Sequence, residues 1–100
     1  MTADAARLLG AQIRLGRRER RWTVEELAER VGVWHGTLRK VERGDPTVAL
    51  GVALEAAVLV GVPLFHPDPF RRELEVRHTD DRLALLPERA RKPAPVNDDF

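Results

Sequence analysis

The chain has no cysteine. That excludes a disulfide framework and a thiolate metal site. Long hydrophobic runs are missing too: the stretch around Ala56–Val60 falls far short of the roughly 20 apolar residues that a bilayer span needs. The first residues, MTADAARLLGAQ, lack the basic segment followed by an apolar stretch that marks a secretory signal. A cytoplasmic protein without membrane contact is the expectation. Charge of one sign is scarce: the net charge is +1 and the pI 8.4, which over the whole chain argues only weakly for nucleic acid. No Gly-rich phosphate loop, nucleophile elbow or kinase signature is present. His35, His66 and His78 have no ligand spacing with one another or with a carboxylate, so neither a metal site nor a cofactor is expected. The acid pairs Asp80-Asp81 and Asp98-Asp99 read as solvated charge in loops. No enzyme is expected.

What is present suits one small domain. The chain has 100 residues with 43% hydrophobic content, enough for a core and against general disorder. A core in a chain this short is modest and gains from dimerisation. Charge is high at 33% and unevenly placed. Between Arg14 and Arg43 there are nine Arg or Lys against five Glu, a local positive field around one stretch.

That stretch is Thr23 to Gly44, TVEELAERVGVWHGTLRKVERG. Thr23 with Glu26 three residues on has the form of a capping box, and Trp22 with Leu27 that of a hydrophobic staple. Val24, Leu27, Ala28 and Val31 recur at helical spacing, one apolar face of a first helix. Gly32 follows where a left-handed residue favours helix termination. A second helix is expected from Trp34 to Arg43, ending at Gly44. Its apolar positions are Leu38 and Val41, and its other face carries Gly36, Arg39, Lys40 and Arg43. Two short helices, a Gly turn and a basic outer face describe a helix-turn-helix.

The flanks follow the same logic. Residues 3–20 read as a helix with Leu9, Ile13 and Gly16 on one face. Gly10 and Gly16 each cost about 1 kcal/mol against Ala there, and Gly16 marks a close helix approach. Arg17 and Glu42 both fall on apolar faces, which points to a partly buried ion pair rather than two snorkelling heads. Thr47 is the expected cap of a further helix running to Val60. That helix has almost no polar side, so part of it is expected to face a partner subunit, through Leu50, Leu54, Val58 and the nearby Phe65. Gly51 would permit close approach. Val62-Pro63-Leu64-Phe65 is expected to pack back as an apolar turn. His66-Pro67-Asp68-Pro69 breaks the pattern. The expected layout is a DNA-binding domain at 1–65, a helical extension at 66–87 that Thr79-Asp80-Asp81 can interrupt, and a proline-broken tail at 88–100.

The stretch from Leu9 to Phe65 resembles the Cro/repressor-like (XRE) family of helix-turn-helix domains. Arg17, the EELA run at Glu25–Ala28, Val31-Gly32-Val33, Thr37-Leu38, Val41-Glu42-Arg43-Gly44 and the Leu54…Gly61-Val62 ending carry the likeness. The resemblance implies an all-α bundle of five helices, with the second motif helix in the major groove and a homodimer on palindromic double-stranded DNA. It also implies that Arg17 and Glu42 pair. Trp34 stands where the family usually has Ser or Thr, and Val24 where it often has a phosphate-contacting Gln. The phrases ERGDPTVALG, VPLF and RLALLPERARK further resemble HipB-like antitoxins, which pair with HipA-like kinase toxins.

The candidate DNA contacts are Thr23, Trp34, His35, Gly36, Thr37, Arg39, Lys40 and Arg43. Guanidinium and ammonium groups suit both bases and phosphates; the alternative is a solvated face beside Glu29 and Glu42. Trp34 can lie against a sugar–phosphate backbone, meet a protein partner or substitute for a cap. His35 is equally readable as surface filling, and Thr37 as contacting phosphate or a thymine methyl or as simply facing the turn. Arg18, Arg20 and Arg21 flank the duplex or form a solvated run. The functional expectation is a transcription regulator, with an autorepressing antitoxin as its genetic role. The rivals are a stand-alone repressor and an interaction module that keeps the fold without DNA binding, favoured by Trp34, Val24 and Gly36.

Overall fold

The computed structural model describes residues 2–88 of the chain. Its five helices are α1 (Thr2–Glu19), α2 (Val24–Val31), α3 (His35–Glu42), α4 (Leu50–Leu59) and α5 (Pro69–Ala84). Among the described residues there is no strand, so the protein is all-α. The chain divides after Pro67 into two compact units, the first with α1–α4 and the second with α5. Among the described residues no helix is long and apolar enough to cross a membrane.

The helix ends follow from local chemistry. At the start of α2 the Glu26 N–H donates to Thr23 Oγ1 at 3.0 Å, and the Thr23 N–H donates to Glu26 Oε1 at 2.7 Å. This satisfies two backbone donors that a bare helix start leaves open. Gly32 ends α2 at φ 89°. After α3, Gly44 at φ 83° lets its own N–H reach the Val41 carbonyl and the Asp45 N–H reach the Lys40 carbonyl, a Schellman closure. At the end of α1 the sequence offers no glycine, and Arg21 takes φ 58° instead. The Trp22 N–H then reaches back to the Arg17 carbonyl at 3.1 Å. A side chain held in that left-handed region costs about 1–3 kcal/mol.

The core is made by Ile13, Leu27, Ala28, Leu38, Val41, Ala56, Ala57 and Val60. Each Ile, Leu or Val removed from water there contributes about 1.5–3 kcal/mol. The glycines inside α1 are explained by packing. A Cβ on Gly10 would stand 2.8 Å from the Glu42 carbonyl oxygen, and one on Gly16 would stand 2.9 Å from Val60 Cβ. These contacts bring α1 close to the C-terminal ends of α3 and α4.

Three expectations are corrected. Thr47 does not cap α4: its N–H and Oγ1 both donate to Asp45 Oδ1, at 2.8 and 2.6 Å. The nearer carboxylate wins the hydroxyl, as Asx turns do, and α4 begins at Leu50 with no side-chain cap. These Thr47 bonds are the main cause that holds the Asp45 carboxyl below its usual range, with Lys40 and Arg43 adding attraction. Second, of Val62-Pro63-Leu64-Phe65 only Val62 packs on the core, while Leu64 and Phe65 are exposed. Third, Asp80 and Asp81 do not sit in a loop: both lie within α5.

Among the described residues the second unit is a single helix. Asp68 Oδ1 accepts the Phe70 N–H at 3.0 Å, and Pro69 occupies the first turn, where its missing N–H costs nothing. The helix runs unbroken through Thr79-Asp80-Asp81, with Thr79 Oγ1 donating to the Glu75 carbonyl at 2.8 Å. It buries no residue. Residues 89–100, most of the expected tail, lie outside the described residues.

Candidate nucleic-acid interface

Leu27 and Ala28 of α2 meet Leu38 and Val41 of α3 in the core, which fixes the two motif helices against each other. A second fastening comes from charge. Arg17 Nε and Nη2 donate to Glu42 Oε2 and Oε1 at 2.6 and 3.0 Å, and Arg17 Nη1 donates to the Trp22 carbonyl at 2.9 Å. The side chains are 10% and 3% exposed. The Glu42 hydrogen bond raises the Arg17 pKa against the opposing effect of burial, so the guanidinium stays charged. This two-pronged contact ties α1 and the turn after it to the last turn of α3.

Around that pair lies a cleft of about 270 Å³ lined by Arg14, Arg17, Arg18, Val24, Arg39, Glu42 and Arg43. Five guanidiniums surround one carboxylate, and that carboxylate is already bonded by Arg17. Arg14 Nε adds a longer contact to Glu42 Oε1 at 3.7 Å. Arg14 was not among the sequence candidates. The available signal was its spacing with Arg17 and Arg18, which puts all three on one face of α1. Val24, the first residue of α2, lines the same cleft.

The other candidates divide into engaged and open side chains. Thr23 serves as the cap of α2. Arg39 Nη2 donates to Glu25 Oε2 at 2.8 Å, and Arg39 Nη1 bonds His35 Nδ1. Arginine only donates, so Nδ1 accepts and the ring proton sits on Nε2. Glu25, absent from the candidates, is thus a clip between α2 and α3. Its pKa is lowered, first by its backbone hydrogen bond at the helix start and then by Arg39. Thr37 is half-buried, and its N–H bonds the Trp34 carbonyl at 2.9 Å. Lys40 and Arg43 are exposed and their side chains make no hydrogen bond or ion pair among the described residues. Trp34, at the start of α3, makes no side-chain cap and is 67% exposed. Its ring folds over Gly36, filling the space a Cβ there would take.

The residues named for self-association lie elsewhere on the first unit. Leu50, Val58 and Phe65 are 71%, 55% and 69% exposed, whereas Leu54 is half-buried.

A search of curated proteins and a search of solved structures each return no match for the chain. The family profile described as a helix-turn-helix domain matches residues 8–66, which takes in most of α1, all of α2–α4 and the arginine cleft, and the chain belongs to this helix-turn-helix family.

Proposed function

We propose that the chain is a sequence-specific DNA-binding transcription regulator that acts as a cytoplasmic homodimer on a palindromic operator. The observation that supports it is the convergence of cations from two elements. Arg39 and Arg43, in and just after α3, line one cleft with Arg14 and Arg18 of α1. Arg17 answers the Glu42 charge, with a longer contact from Arg14, which leaves Arg18 and Arg43 to attract a backbone phosphate. Phosphate gripped there sets the register of α3 in the major groove, and Lys40 carries a donor to base edges. A second copy covers Leu50, Leu54, Val58 and Phe65. The two recognition helices then enter successive major grooves about 34 Å apart. Regulation is by occupancy and needs no catalysis.

A gel shift with the chain's own promoter tests this reading. A shift that is lost on Lys40→Ala with Arg43→Ala supports it. Absence of any shift favours the second reading, an interaction module, for which the tying of Arg39 to Glu25 and His35 speaks. The finer role of antitoxin to a HipA-like kinase rests on the sequence phrases. Co-purification with the product of the neighbouring gene tests it, and failure of that pull-down leaves a stand-alone repressor.

A further inference from the structure

Trp34 is the largest apolar group on the outer side of the motif, 67% exposed. An indole so placed is typical of an interface residue. Its ring is seated. It covers Gly36, so that a Cβ at residue 36 would collide with ring carbons, and its centroid stands 5.2 Å from that of His35 at an interplanar angle of 49°. The ring therefore occupies the direction in which a side chain at residue 36 would project. That direction belongs to the first turn of α3, on the face that Lys40 continues four residues later. Glycine is a poor residue for a helix, and the room it leaves is what the ring uses.

We infer that Trp34, seated on Gly36, is the specificity-determining residue of the DNA site and reads the 5-methyl group of a thymine in the major groove. The inference rests on the DNA-binding reading above. Indole has one N–H donor and no acceptor, so it cannot make the paired hydrogen bonds by which Arg reads guanine or Asn reads adenine. What it offers is flat apolar area. The major groove presents one apolar handle, the thymine methyl. Lys40 supplies the polar contact to base edges, and Trp34 supplies the apolar one it cannot make.

The probe is the set of duplexes that the wild-type full chain enriches from a random library. Each thymine of the enriched half-site is replaced in turn by deoxyuridine, which removes the methyl and keeps both hydrogen-bonding edges. One position should lose about fourfold in affinity, the effect of burying one methyl-sized group. That loss should vanish in Trp34→Ala and also in Gly36→Ala. The second variant is the sharper one: alanine favours the helix, so the fold is kept while its Cβ displaces the ring. If wild type shows no deoxyuridine effect, or if both variants retain it, the methyl reading is overturned while DNA binding stands. If wild type enriches no duplex at all, the DNA-binding reading fails and the inference falls with it.

Discussion

Removing the Glu42 carboxylate tests what holds α3 in place. In Glu42→Ala the Arg17 guanidinium keeps its bond to the Trp22 carbonyl but loses both bonds to Glu42, and it stays in a site where its side chain is 10% exposed. An uncompensated buried charge of this kind costs about 3–5 kcal/mol. The arginine cleft opens beside it, so Arg17 can turn partly toward water, and the lower end applies, about 3 kcal/mol. For a unit of this size that is a fall in Tm of about 12 °C or more. Urea unfolding followed by circular dichroism is the assay, with the midpoint falling at unchanged slope. Because the pair raises the Arg17 pKa, the arginine's part of this stability is complete below its unfolded value and is lost only as pH rises through the still higher folded one. No fading is expected near neutrality. The double change Arg17→Met with Glu42→Leu removes both charges and should recover most of the loss, since an apolar pair of similar size replaces a buried ion pair at little cost. A loss under about 0.5 kcal/mol in Glu42→Ala would show a solvated pair. A double variant as unstable as the single one would show that the loss comes from packing and not from the orphaned charge.

Four further outcomes are expected. Lys40→Ala and Arg43→Ala should each weaken operator binding, and a phosphate-contacting residue should lower the slope of log affinity against log salt by about one; unchanged affinity in both removes α3 from the contact. Arg21→Gly should raise stability by about 1 kcal/mol through release of the φ 58° strain, read as a higher urea midpoint. Leu54→Asp or Val58→Asp should give monomers or aggregates in sedimentation, and a wild-type chain that stays monomeric at micromolar concentration refutes the dimer. Glu25 and Asp45 have lowered pKa values from starting points of 4.5 and 3.8, so their contribution is present above those values and lost as pH falls through the folded ones. Asp45→Asn should therefore flatten part of the acid limb of the stability profile.

What could be read in advance depended on the range of the interaction. The limits of α2 were legible because Thr23, Glu26 and Gly32 act within a turn of one another. The start of α4 was not, although the competitors were also neighbours. Thr47 had two uses for its hydroxyl, and Asp45 lay only two residues back, so cap preference alone could not decide between them. Arg21 gave no signal, because its left-handed backbone answers the sharp turn from α1 into α2 rather than any preference of arginine. Gly36 is poor helix chemistry by itself, and nothing in the sequence signals that the Trp34 ring fills its place. The arginine cleft was legible by half. Arg14, Arg17 and Arg18 share a face of α1 by spacing, and Arg39 and Arg43 fall on the outward side of the second motif helix. Their meeting depends on how closely α1 crosses the end of α3, and that distance is set by the missing side chain at Gly10, which faces the Glu42 carbonyl. An alanine there would push the two groups of arginines apart. The same contact that closes the core thus gathers the positive charge, which is why a small chain with a net charge of +1 can still present a strongly cationic cleft.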